Sequence, residues 1–207
     1  VDPIANKLDT PSGKIEIYSD QVASFDYEDC PPHPSWLTPP EWLGETEHTG
    51  QLHLLSTQPA NKLHSQLDHG SISRATKING HEPVLINVDD AADRGIIDGA
   101  TVRVFNQRGA CLCGARLTKE IMPGVVMIAT GAWFDPDIGC DRGLDCKHGN
   151  PNVLTPDRGT SSLAQGPAAH SCLVEIELWK GAPVEVTAFK APKIMQSNTG
   201  NLKKRNA

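Results

Sequence analysis

Between residues 51 and 129 apolar and polar positions alternate in short runs, and a period of two is the mark of half-buried strands. Strands are predicted at 51–56, 83–87, 101–106, 110–117 and 122–129. Gln107, Arg108 and Gly109 close a hairpin between the third and fourth. One short helix is expected at 89–94, with Asn87 and Asp89 as candidate N-caps and Gly95 in the left-handed stop position. An earlier alternation, Ile15 and Ile17 against Lys14, Glu16 and Tyr18, predicts a further strand within 10–19. Two late strands are expected at 171–178 and 183–189. Short strands separated by glycine turns point to a barrel or sandwich rather than a doubly wound sheet.

The pattern fails in two places. From Pro31 to Pro40 the chain carries five prolines, which forbid regular structure and predict an extended connector over 29–50, with Trp36 and Trp42 as apolar anchors. From Gly131 to Ala169 no period is visible, and so long an irregular stretch in a compact domain usually serves a site or a partner.

Composition narrows the function. The 207 residues suit one domain with a loose arm at each end, and no apolar run approaches the roughly 20 residues of a membrane span. A net charge of -6 argues against a nucleic-acid surface. The basic cluster Lys203-Lys204-Arg205 reads as part of a flexible tail over 193–207. Val1 in place of methionine reads as a processed chain or a piece of a longer one. The six cysteines have neither disulfide-scaffold nor zinc spacing. Cys111 and Cys113 share one strand face as packing residues, and Cys140 and Cys146 could pair or stay free. No metal site is expected. Phosphate-binding glycine motifs and a nucleophile elbow are absent, so no catalytic residue is assigned.

What remains is a set of amide-rich loops placed after strands. Ser56, Gln58, Asn61, His64, Ser65 and Gln66 form one, and Asn150, Asn152 and Gln165 a second. Such side chains offer both donors and acceptors without a fixed charge, which suits a large polar ligand whose buried groups must all be paired.

The order of motifs then resembles a family. It runs through Ser56-x-Gln58-Pro59, Leu63-His64-Ser65-Gln66, Asp90-Ala91-Ala92-x-Arg94-Gly95 and Val102-Arg103-Val104-Phe105-Asn106. It continues with Gly131-Ala132-Trp133-Phe134-Asp135-Pro136, His148-Gly149-Asn150-Pro151-Asn152 and Gly159-Thr160-Ser161-x-Leu163-x-Gln165-Gly166. Over residues 10–192 this resembles the C-terminal molybdopterin dinucleotide-binding domain of the dimethyl sulfoxide reductase family, including the trimethylamine N-oxide, biotin sulfoxide and methionine sulfoxide reductases. The resemblance implies a mainly β fold, a six-stranded double-psi β-barrel with short helices and long loops, over 51–192. Residues 1–50 would pack on it as a strand and connector.

It implies, too, that the nine amide-loop residues hold bis(molybdopterin guanine dinucleotide) with molybdenum. Lys62 would sit near a phosphate, and Trp133 and Phe134 would pack beneath the loop or line the approach to the metal. The remaining N-terminal domains of the same bacterial reductase are the implied partners, and an S-oxide or N-oxide the substrate. The region that ligates molybdenum has no match here, so the chain alone is expected to be inactive. The resemblance leaves periplasm and cytoplasm open, leaning to the periplasm. A free-standing double-psi barrel that binds peptides or proteins is the alternative.

Overall fold

A computed structural model describes residues 2, 4–44 and 50–191. In chain order these form α1 (Asp20–Ala23), β1 (Leu52–Leu55), α2 (Ser71–Ala75), β2 (Pro83–Asn87), α3 (Val88–Asp93), β3 (Thr101–Phe105) and β4 (Ala110–Thr118). There follow β5 (Val125–Ile128), a 3-10 turn (Pro151–Val153) and β6 (Leu173–Leu178). The expected tail at 193–207 lies outside the described residues.

The six strands close into a barrel in the order β1-β5-β2-β4-β3-β6, the double-psi barrel the motifs imply. β1 runs parallel to β5 and β2 parallel to β4, while β3 pairs antiparallel with both β4 and β6. Closure follows from alternation. Leu52 and Leu54, Val84 and Ile86, Val102 and Val104, and Val174 and Ile176 all point inward and are buried. β4 is buried over most of its length because its outer side is covered too: Ala110 and Leu112 pack with Leu144, Val184 and the partly buried Trp179. A core of this kind, rather than strand propensity, holds so many short strands together.

Local chemistry sets the corners. Asn87 caps α3, its Oδ1 accepting from Asp89 N at 2.9 Å, and Gly95 ends the helix at φ +64°. The β3–β4 hairpin closes where Asn106 N donates to Gly109 O at 3.0 Å. Cys111 and Cys113 are buried side by side with their sulfurs 3.9 Å apart. Cys140 and Cys146 are both free thiols, the first exposed and the second buried.

Two expected strands are not strands. Residues 10–19 run through bends and turns and join no ladder; Ile15 is 83% and Ile17 74% exposed. Alternation supplies a strand face, but no sheet edge is within reach to pair with it. Residues 183–189 also stay irregular, because a carboxylate takes their donors. Asp135 Oδ2 accepts from Ala188 N at 3.0 Å and its Oδ1 from Thr187 Oγ1 at 2.6 Å.

The connector is irregular as expected. Of its two expected aromatic anchors, Trp36 is 72% exposed, while Trp42, which it meets edge-on at 5.8 Å, is half-buried. Polar ties also hold the connector. Glu41 Oε2 accepts from Leu173 N at 2.8 Å and from Arg108 Nη2 at 2.9 Å, and Asp29 Oδ2 accepts from Ser162 N at 2.9 Å. The short helices α1 and α2 were not expected, since neither has room for an amphipathic period.

Candidate functional site: two polar rims joined by residues 130–133

β1 ends at Leu55 and runs into the first polar loop; β5 ends at Ile128 beside it, the two strands being parallel neighbours. The pairing continues past the barrel: Thr130 N donates to Thr57 O at 2.8 Å. The loop then folds on itself, with Gln66 N donating to Leu63 O at 2.8 Å. His64 (φ +49°) and Leu67 (φ +64°) both take the left-handed conformation that side chains disfavour.

The segment 131–133 holds this loop on one side and the second loop on the other. Trp133 Nε1 donates to Ser65 O at 2.7 Å and Trp133 N to Asp68 Oδ2 at 2.9 Å. Across from these, Asn150 Nδ2 donates to Ala132 O at 2.9 Å and His148 Nδ1 to Trp133 O at 3.0 Å. Asn150 Oδ1 also caps the 3-10 turn by accepting from Asn152 N at 2.9 Å. Both loops therefore flank one short stretch of backbone at one end of the barrel.

Beneath the first loop lies a buried charge cluster. Lys62 Nζ is 2.7 Å from Asp68 Oδ1 and 2.9 Å from Glu82 Oε2, and Lys77 Nζ bonds the same two carboxylates. Ser73 Oγ donates to Asp68 Oδ1 at 3.2 Å. Burial opposes the charge on Asp68, but hydrogen bonds from Lys62, Lys77 and Trp133 N outweigh it and bring its pKa down to about 2. Burial likewise opposes the charge on Lys62, and Asp68 and Glu82 overcome it, raising its pKa. His148, buried next to Lys77, is pushed toward the neutral form, first by burial and then by that ammonium. Two lysines against two carboxylates leave the cluster neutral, the condition for keeping charges out of water. Lys62 is thus a buried ion-pair partner rather than a free ammonium at the surface.

The sequence-expected residues differ in how far their hydrogen bonding is committed within the protein. Gln58 Nε2 donates to His64 Nδ1 at 3.1 Å, and Asn61 Nδ2 to Thr76 Oγ1 at 3.1 Å. Among the described residues, the side chains of Ser56, Ser65, Gln66 and Asn152 make no hydrogen bond within the protein. Ser56 meets His170 only through its backbone N–H, at 3.5 Å. Gln165 makes no hydrogen bond to either rim among the described residues. It sits in the loop 159–167, its Nε2 donating to Ser161 O at 2.9 Å and its amide packed over Gly159. That loop borders a cavity of about 660 Å³ against the connector, edged by Asp29, Thr38, Glu41, Arg158 and Thr160. The cavity is thus beside the connector, and none of residues 130–133 lines it.

Sequence reasoning missed several participants. Thr130 Oγ1 and His148 Nε2 are buried without a hydrogen-bond partner. A buried unpaired polar atom is costly, and these two lie at the segment that joins the rims; Trp42 Nε1 and Arg103 Nε, on neither rim, are unpaired too, so the orphaned atoms alone do not mark a ligand site. The hydrogen-bonded partners of the charge cluster lie 5 to 20 residues apart in sequence, and no local spacing signals them. No group of three or more His, Cys, Asp or Glu among the described residues could hold a metal ion.

The fold and site define a class: a closed β-barrel carrying two amide-bearing loops that meet at residues 130–133. The chain belongs to the family described as "Molydopterin dinucleotide binding domain", whose model matches residues 52–173. It is similar to the dimethyl sulfoxide/trimethylamine N-oxide reductase of Cereibacter sphaeroides, with 47% identity over 93% of this chain and 23% of that protein. The trimethylamine-N-oxide reductase of Haemophilus influenzae is 48% identical over 93% of this chain and 23% of its own length. The biotin sulfoxide reductase of Cereibacter sphaeroides is 49% identical over 87% of this chain and 24% of its own. The chain therefore spans about a quarter of the length of these relatives. Among solved structures, the acetylene hydratase of Pelobacter acetylenicus shares the fold, with a TM-score of 0.66 at 18% identity over 84% of this chain and 24% of that one.

Proposed function

We propose that the chain is the cofactor-holding domain of a bacterial molybdenum reductase acting on S-oxides or N-oxides, and that the two rims grip bis(molybdopterin guanine dinucleotide). The observation that carries this reading is the meeting of the amide-rich loops on either side of residues 130–133, with the side chains of Ser56, Ser65, Gln66 and Asn152 still uncommitted. The donor set suits the group: pterin and guanine edges each present donors and acceptors, which Asn, Gln and Ser can match without adding charge. The orphaned Thr130 Oγ1 and His148 Nε2 add two more positions needing a partner.

The bound group would supply the two-electron redox chemistry of oxygen-atom transfer. The chain's own work is to bind, orient and exclude water. Ser56, Gln58, Asn61, His64, Ser65 and Gln66 would pair with one side of the cofactor and Asn150 and Asn152 with the other. Gln165 would reach it from its separate loop. No residue of this chain is assigned a proton or electron transfer step.

The remaining N-terminal domains of the same polypeptide would complete the site. The exposed Ile15 and Ile17, on an irregular segment, support a partner on that side. No helix among the described residues is long and apolar enough to cross a membrane. The resemblance to N-oxide reductases favours the periplasm over the cytoplasm. A free-standing module that binds peptides would not need uncharged amide rims, and membership of the cofactor-binding family favours the first reading.

The test is chemical. The full-length protein that carries this domain is purified and hydrolysed in acid, and the released nucleotide and molybdenum are measured. About two guanosine monophosphates per molybdenum are expected. Protein without nucleotide, or with a nucleotide other than guanine, would overturn the proposal.

A further inference from the structure

Trp133 occupies an unusual position in this site. Its indole N–H reaches the Ser65 carbonyl at 2.7 Å, its backbone N–H reaches Asp68 at 2.9 Å, and its own carbonyl takes the Nδ1 proton of His148 at 3.0 Å. The residue before it accepts from Asn150 at 2.9 Å. One side chain and two consecutive peptide groups thus tie both rims to the buried charge cluster.

The ring itself is fixed from two sides. It lies 5.3 Å from the His69 ring and 5.7 Å from Phe189. Phe189 in turn meets His148 edge-on at 4.9 Å and carries the Arg74 guanidinium at 5.5 Å. These ring contacts, with the hydrogen bond to Ser65 O, set the direction of the indole N–H.

The group it holds needs holding. Ser65 lies between His64 and Leu67, two residues in the left-handed region, a conformation that persists only where the surroundings enforce it. Gly131 blocks the loop from one side, since a Cβ there would fall 1.8 Å from His64 O. The indole N–H fixes the next peptide from the other. The directions of the uncommitted Ser65 and Gln66 side chains follow from that peptide.

We propose that Trp133 is a positioning residue for the cofactor: its indole N–H sets the Ser65 carbonyl, and through it the direction in which Ser65 and Gln66 face the ligand. The inference rests on the cofactor reading given above. It assigns Trp133 no contact with the cofactor and no part in the reaction.

The experiment uses the full-length protein with cofactor bound and Trp133→Phe, which keeps an aromatic ring and removes the N–H. Trp179→Phe is the control; that indole donates to Ala182 O at 2.9 Å in the covering layer of β4. Three quantities are read: the rate at which molybdenum and pterin leave on dilution, hydrogen exchange at amides 64–67, and the unfolding midpoint. For the loss of one hydrogen bond, cofactor loss from W133F is expected to be roughly five-fold faster. Faster exchange at 64–67 and a midpoint no lower than that of W179F should accompany it.

W133F that holds molybdenum and pterin as long as the wild type would overturn the inference. So would faster loss accompanied by unchanged exchange at 64–67. Should W133F fail to fold, the benzothienyl isostere of tryptophan at position 133 replaces the N–H with sulfur and keeps the ring's shape. Wild-type retention in that protein would also overturn the inference. Wild-type protein found without any pterin would instead sink the cofactor reading, so the two failures are distinguishable.

Discussion

The backbone of Gly131 passes so close to His64 that a β-carbon on the glycine would lie 1.8 Å from the His64 carbonyl oxygen. The φ of Gly131, +92°, is also closed to ordinary side chains. Gly131→Ala therefore has to push the first loop away from residues 130–133 and strain its own backbone. A loss of about 2–4 kcal/mol in stability is expected, with reduced pterin content in the full-length protein. Urea unfolding and pterin fluorescence read the two effects, and unchanged values in both would refute the close packing.

Lys62 gives the second expectation. Removing one ammonium leaves Asp68 and Glu82 buried against Lys77 alone. Breaking a buried ion pair in this way costs about 3–5 kcal/mol. Lys62→Met should lower the urea midpoint accordingly, and adding Glu82→Gln should recover part of the loss by restoring one charge against one. If the double variant is no better than the single one, charge balance is not what the cluster needs.

Acid should weaken the fold in two separate windows. His148 binds its proton less readily folded than unfolded, so the unfolded chain takes up more protons as pH falls below the ordinary 6.5, and stability falls with it. Asp68 acts lower down. Its pKa drops from 3.8 to about 2 on folding, so its contribution of about 2 kcal/mol is complete above 3.8 and is lost as pH falls through 2. Urea midpoints measured from pH 8 to pH 2 should show both declines. Asp68→Asn, whatever its overall stability, should flatten the lower one; an unchanged slope between pH 4 and pH 2 would assign that decline to other groups.

How much of this was legible in the sequence depended on the range of the forces involved. Strands β1 to β5 and the helix α3 follow from local alternation and from caps such as Asn87, which act over a few residues. Residues 10–19 and 183–189 have the same local signal and form no strand. The first has no neighbouring edge, and Asp135 takes up donors of the second. The amide loops could be read because side-chain type is written in the sequence. The charge cluster could not, because Lys62, Asp68, Lys77, Glu82 and His148 converge only in the folded chain. Trp133 was visible within a motif, but its role depends on reaching Ser65 across 68 residues of sequence.

Gln66 and Asn152 stand on opposite rims, both exposed and both with side chains that bond to no described residue. Their replacement by alanine should leave the fold intact, because no internal contact is lost. Molybdenum and pterin content of the full-length Gln66→Ala, Asn152→Ala double variant, measured beside its unfolding midpoint, is therefore the decisive quantity. Cofactor content well below wild type at an unchanged midpoint is the expected result. Full occupancy of both molybdenum and pterin would show that the two rims do not grip the cofactor.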